Sequence, residues 1–348
     1  MNRTAPPGYW LLNLGRCSLL LPRRACAAAI GLLLGLLAVS AVALASGAAG
    51  LTPTSAVAAL FGRGDAMNVF LVRELRLERL LAGLFTGAAL GMAGCLLQTL
   101  ARNRLATPGV IGIDDGATAF AVASIVALPT SLAPPALALI GAFTAAALAL
   151  GLGGGSGARG YRFIVVGIGV GAVFGALTNL MLARTDLDSA NQAYPWTVGS
   201  LNARPWSAVQ LLGLTLLLAT PCAKALGRQL AAMRFTDSVA CGLGVSLKRI
   251  RAATLGLTVL FTGLAVTVVG PVGLVALAAP EMARYLCGHR GVPILTAGLA
   301  GAVLMVSADW AGRTLLAPTE IPVGIITAIV GGPYLLWILI RQPVRSSP

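Results

Sequence analysis

Ten apolar runs, most of them close to twenty residues long, constrain this chain more than any other feature. They cover residues 25–48, 78–101, 108–128, 133–153, 161–184, 206–226, 252–271, 274–287, 293–312 and 322–341. A helix rises 1.5 Å per residue, so about 20 apolar residues cross the roughly 30 Å hydrocarbon layer of a bilayer. The runs are continuous rather than alternating, which excludes a β-barrel. Charged residues make up 10% of the chain and apolar residues 57%, whereas soluble domains carry roughly 25% charged residues. The expected fold class is therefore an all-α membrane protein with about ten transmembrane helices. No polar region is long enough for a separate soluble domain.

Charge orients the spans. Cytoplasmic loops carry the excess of Lys and Arg. With the N-terminus inside and ten spans, 18 of the 25 basic residues fall on the inner side. The outer side holds Arg63, Arg73, Arg76, Arg79, Arg184, Arg204 and Arg313. Both termini are then cytoplasmic: residues 1–24 form an N-terminal segment, 25–341 the transmembrane domain and 342–348 a tail. The run after Arg23-Arg24 exceeds the 7–15 residues of a signal-peptide core, so it is expected to be an uncleaved first span. The net charge of +14 does not indicate nucleic acid, because the basic residues sit in loops on one membrane face.

The longest polar stretch, RFTDSVACGLGVSLKRIR (234–251), lies between two spans. Its Arg234, Lys248, Arg249 and Arg251 place it on the cytoplasmic face, where it can fold as a short helix and meet a partner. Catalytic sets are missing from the sequence. There is no HExxH, no Gly-x-Ser-x-Gly and no Cys/His cluster. The six cysteines have no regular spacing, and His289 is the single histidine. A phosphate-binding GxxxxGK[ST] loop is also missing, since neither lysine, Lys224 or Lys248, follows the required glycines. No metal, no cofactor and no enzymatic role are expected.

Four irregular stretches stand out. In ARNRLATPGVIGIDDGA (101–117), Asn103 lies in a polar turn and Pro108 resets the backbone. Asp114 and Asp115 sit either two turns inside a span, lining a pathway, or at a helix start as caps. In the second stretch, VVGPVGLVALAAPEMARYL, Gly270-Pro271 breaks the chain at an outer turn and Pro280 lies inside a span. Broken helices in membranes line cavities enclosed by protein. Third, Asp309 and Arg313 are four apart, the spacing of an ion pair on one helix face. Fourth, Arg73, Arg76 and Arg79 precede the second span, either snorkelling beside Glu74 and Glu78 or forming a docking site. Glycines at 83, 87, 91 and 94 and at 167, 169, 171 and 175 suit close packing of helices in lipid.

Several motifs in order resemble the FecCD-type permeases of bacterial ABC importers, which serve iron–siderophore complexes, ferric citrate, haem and vitamin B12. They are RLxRLLAGLFTGAALGMAGCLLQ, RNxLATPGVIG, WTVGSLNARPW, ACGLGVSLKRIR, GPVGLVALAAPEMAR and ADWAGRTLLAPTEIPVGIITAIVGGPYLLW, spread between Arg73 and Arg341. The resemblance implies a type II ABC importer permease of the inner membrane. Its implied partners are two ABC ATPase subunits, a second permease (identical or homologous) and a periplasmic substrate-binding protein. Asp237 and the residues Ala240, Gly242, Leu243, Gly244 and Val245 would form the ATPase-coupling helix, the small residues allowing close approach and Leu243 and Val245 supplying apolar contact. Arg76, Arg79 and Arg313 would dock the binding protein. Asn103, Pro108, Asp114, Gly270, Pro271 and Pro280 would line the path or its gate. The chain departs from the family pattern at Glu78, where RLPR has proline, and at Arg104, where RNPLA has proline. It also departs at Asp114-Asp115 and at Glu281, which stands at the histidine of APH. The expected cargo is a ferric siderophore, with vitamin B12, haem or ferric citrate as alternatives. A secondary transporter needing no ATPase is the competing class.

Overall fold

The structure, a computed structural model, describes residues 8–14, 17–47, 50–126, 133–153, 161–202, 204–235, 237–288 and 291–341. The expectations for the tail 342–348, for residues 1–7 and for most of the glycine-rich stretch GLGGGSGARG (151–160), expected as a cytoplasmic turn between spans, lie outside these residues.

Ten helices occupy the ten apolar runs. They are α1 (Arg23–Ala45), α4 (Leu77–Ala101), α5 (Ile113–Val126), α6 (Pro134–Leu152), α7 (Tyr161–Ala183), α9 (Trp206–Ala232), α11 (Leu247–Val269), α12 (Gly273–Cys287), α13 (Ile294–Thr314) and α14 (Val323–Arg341). Among the described residues, seven continuous helical stretches are long and apolar enough to cross a membrane, one of them running from Ala66 to Ala101. Between the spans lie α2 (Pro53–Leu60), α3 (Ala66–Phe70), a π-helical turn at Leu71–Arg76, a 3-10 turn at Pro108–Ile111, α8 (Leu187–Val198) and α10 (Asp237–Gly242). The N-terminal residues add a hairpin that the sequence reading lacked, β1 (Tyr9–Leu14) antiparallel to β2 (Cys17–Pro22), in register from Tyr9↔Pro22 to Leu14↔Cys17.

α4 sits at the centre, against α13, α11, α12 and α9. Its glycines explain how. A Cβ placed on Gly87 would lie 2.3 Å from the Gly301 carbonyl oxygen, on Gly91 2.2 Å from that of Ala297, and on Gly94 1.8 Å from that of Ala276. Backbone therefore packs directly on backbone, the mode available where lipid supplies no hydrophobic drive between helices. Around this seam Leu90, Leu96, Phe261 and Met305 are fully buried. Ile30, Leu34 and Leu37 on α1 and Leu214, Leu217 and Leu218 on α9 stay exposed, as residues facing lipid do.

Two spans are short. At 1.5 Å per residue, the 14 residues of α5 and the 15 of α12 reach about 21 and 22 Å, below the roughly 30 Å hydrocarbon thickness. The non-helical chain that precedes each of them must make up the difference. Asp114 and Asp115 accordingly fall in the first turn of α5, the helix-start placement, where the helix dipole favours negative charge.

Candidate coupling surface, outer arginine cluster and transport groove

At the expected inner end, α10 is a single short turn of helix closed by its own backbone. The Val245 amide donates to Ala240 O at 3.0 Å and the Gly244 amide to Cys241 O at 2.9 Å, with Gly244 at φ +81°. This is a Schellman ending, and the left-handed position suits glycine. Asp237, the first residue of α10, pairs with Arg251 at 2.9 Å and with Arg102 at 3.5 Å. Ala240 is fully buried and Val245 packs against the core. These two residues, expected as contact surface, instead anchor the helix from within. What faces outward is Leu243 at 63% exposure, Val239 at 48% and Phe235 at 60%. Gly242 and Gly244 have open space where a Cβ would stand.

Arg102 ends α4 in the left-handed region at φ 52° and is the only non-glycine residue with positive φ among the described residues. Its side chain holds that conformation by donating to Phe235 O at 2.7 Å and to Met233 O. The chain then passes Asn103, whose Oδ1 accepts the Leu105 amide at 2.9 Å, and runs inward. Pro108 is buried at the start of the 3-10 turn. That turn packs on α7, where a Cβ on Gly167 would meet Val110 O at 2.3 Å; Gly169 and Gly175 face open space. Asp114 Oδ1 is buried with no hydrogen-bond partner among the described residues.

The other break, between α11 and α12, is buried at Gly270 and Val272 and half-buried at Pro271. Gly270 caps α11 at φ +82° and lies against Gly199. The Ser200 amide donates to Val269 O at 2.7 Å, and the Gly324 amide to Gly199 O at 3.1 Å. The ends of α8 and α11 and the start of α14 thus meet at one backbone junction. Leu105 and Thr107 from the connection between α4 and α5 approach this junction, and with Thr197, Pro271, Leu277 and Thr327 they line a groove of about 480 Å³. Pro271 faces it directly. Pro280 is buried within α12, while Asn103 and Asp114 lie away from the groove wall.

At the opposite end of the bundle, the expected outer one, Arg79 pairs with Asp309 at 2.9 Å and Glu320 at 2.8 Å, and Arg313 pairs with Asp309 at 3.1 Å. Arg76 donates to Leu44 O at 2.6 Å and Ala45 O at 3.0 Å, and Arg313 to Ala43 O at 3.3 Å. The three arginines therefore converge on one cavity of about 430 Å³, each held by partners within the chain. The cavity also takes Arg204, which stacks 4.5 Å from the Trp196 ring centroid and donates to Ser200 O at 2.7 Å. Burial lowers the pKa of its guanidinium to about 10. The expected outer face carries seven arginines and seven acids (Asp65, Glu74, Glu78, Asp186, Asp188, Asp309 and Glu320). On that assignment its formal charge balances, and the net charge of +14 falls on the expected inner face.

Residues 21–341 match the sequence pattern of the FecCD transport family. The chain belongs to that family. It is 35% identical over 307 residues to the Fe(3+)-citrate import system permease protein YfmE of Bacillus subtilis (strain 168), covering 87% of this chain and 92% of that one. It is 34% identical over 300 residues to the ferric enterobactin transport system permease protein FepG of Escherichia coli (strain K12), covering 86% and 91%. Its fold superposes on a solved inward-facing metal-chelate type ABC transporter with a TM-score of 0.80, at 24% identity, covering 91% of this chain and all of the other. The chain is thus a multi-pass membrane permease of the ABC importer class with the type II fold.

Sequence reasoning missed four things in these sites. Phe235 and Val239 carry exposed apolar surface beside Leu243, and their position in a polar stretch between spans was the available signal. Glu320 and Asp309 are the acids of Arg79, not the nearby Glu74 and Glu78. Arg204 enters the outer cavity. Arg104 and Glu281, noted only as departures from the family pattern, form an ion pair at 3.0 Å.

Proposed function

We propose that this permease sits in the inner membrane with both termini cytoplasmic and imports a ferric siderophore. A pair of separate ATPase subunits supplies the energy, and a periplasmic binding protein delivers the chelate. The observation that carries this reading is α10. Phe235, Val239 and Leu243 expose apolar surface on a polar, basic face, on a helix braced through Asp237 to Arg102 and Arg251. An apolar patch outside the lipid marks a protein contact, and a chain without a nucleotide loop needs a partner that has one. The groove beside Pro271 and Thr107 forms one wall of the path, and a second permease forms the other.

At the outer end, Arg76, Arg79 and Arg313 receive acids of the binding protein. Glu320, with its side chain 46% exposed, is the internal acid that exchanges most readily for an incoming one. Because the outer face is charge-balanced, docking depends on these local pairs rather than on long-range attraction.

The test is uptake of iron-labelled siderophore in cells lacking the chain, together with co-purification of the ATPase. Wild type restores uptake and retains the ATPase. Leu243→Asp, which places a charge on the exposed apolar surface, loses both while inserting normally. Full uptake and ATPase retention in that variant would overturn the assignment of α10.

A further inference from the structure

The inner connection between α4 and α5 is gripped on two sides by arginines two residues apart. Arg102 reaches back to the α9–α10 turn and to Asp237. Arg104 reaches to α12, its Nη1 3.0 Å from Glu281 Oε1. Glu281 is in turn held by Arg284 at 2.9 Å, and Arg284 donates to Gln98 on α4. The residues between and just beyond the arginines have no regular structure, yet Leu105 and Thr107 line the groove. On the other side of the pair, α12 presents Leu274 and Leu277 to the same groove.

We propose that Arg104 and Glu281 are positioning residues of the transport cycle. Their ion pair carries displacement of α10 through the inner connection to α12, so that both walls of the groove move together. The proposal rests on α10 being the ATPase seat. Three features support a linkage rather than ornament. The first is continuity: α10 joins Arg102 through Asp237, and Arg104 lies two residues on. The second is asymmetry of exposure, with Arg104 49% exposed and Glu281 15%. Glu281 is fixed from behind by Arg284, whereas the Arg104 side chain stands half in solvent. The third is reach: the pair ties the connection between α4 and α5 to a helix 177 residues further along the chain.

The test uses the complete transporter with its ATPase and binding protein in proteoliposomes, reading chelate transported per ATP hydrolysed. Arg104→Gln should lower that ratio about fivefold or more, the lower end of ordinary coupling between sites, while ATPase co-purification and ATP hydrolysis persist. Arg104→Lys, which keeps the charge, should restore most of the ratio. In a Glu281→Gln background, Arg104→Gln should have no further effect, because the partner is already gone. An unchanged ratio in Arg104→Gln overturns the proposal, as does the same fold loss in both backgrounds. If the wild-type permease fails to hold the ATPase, the reading of α10 and this proposal both fall. If it holds the ATPase and Arg104→Gln is silent, the linkage alone falls.

Discussion

Asp309→Asn separates the two roles that the outer arginines can play. Asp309 is 7% exposed and accepts Arg79 Nε at 3.0 Å and Arg313 Nε at 3.1 Å, with Arg79 Nη2 at 2.9 Å. Breaking a buried ion pair by removing one partner costs about 3–5 kcal/mol. Here Arg79 keeps Glu320 and Arg313 keeps Ala43 O, which brings the expected loss to about 2–4 kcal/mol. Glu320→Gln removes a half-exposed acid and should cost less than about 1 kcal/mol. Thermal unfolding of the detergent-solubilised permease reads both. Raising the salt concentration should shrink the Glu320 effect and leave that of Asp309, because exposed charges are screened far more than buried ones. Docking should respond in the opposite sense. Asp309→Asn leaves two guanidiniums with one internal partner fewer each, so binding-protein affinity holds or rises, while Arg79→Gln and Arg313→Gln weaken it. Equal, small and equally salt-sensitive losses for Asp309→Asn and Glu320→Gln would refute the picture of a buried clamp. Docking indifferent to all four variants would return the arginines to a purely structural role.

Two further outcomes test the packing. Gly94→Val should yield no detergent-stable protein, since a Cβ there would lie 1.8 Å from Ala276 O, whereas Gly169→Ala, with nothing within 4 Å, should purify normally. Gly244→Ala should cost α10 about 1 kcal/mol for a left-handed alanine, seen as about fivefold faster hydrogen exchange at the Val245 amide. Gly242→Ala, which lacks that constraint, should leave exchange unchanged.

The spans were legible because lipid imposes one rule, a continuous apolar run, and each of the ten runs coincides with a helix to within a few residues at most ends. The exceptions have physical causes. α5 begins at Ile113 rather than at Pro108, because Pro108 and Gly112 accommodate a tight turn that packs on α7. α8 was not foreseen: LDSANQAYPWTV mixes polar and apolar residues and packs on α5 and α14 from outside the spans. In the candidate sites, the ion pair between Asp309 and Arg313 followed from a four-residue spacing and is present at 3.1 Å. Arg79 with Asp309 and Arg104 with Glu281 did not, because 230 and 177 residues separate the partners. Only the packing of α4 on α13 and α12 brings them together. The orientation of Ala240 was hidden for a similar reason. A six-residue helix has too few turns for its pattern to say which side faces inward.

The most direct measurement is iron-chelate accumulation by the purified permease in proteoliposomes, with and without the ATPase subunits, the binding protein and ATP. Uptake that requires all three, and that stops when ATP is replaced by a non-hydrolysable analogue, is the predicted result. Accumulation by the permease alone, driven by a proton or sodium gradient without ATP, would contradict the account.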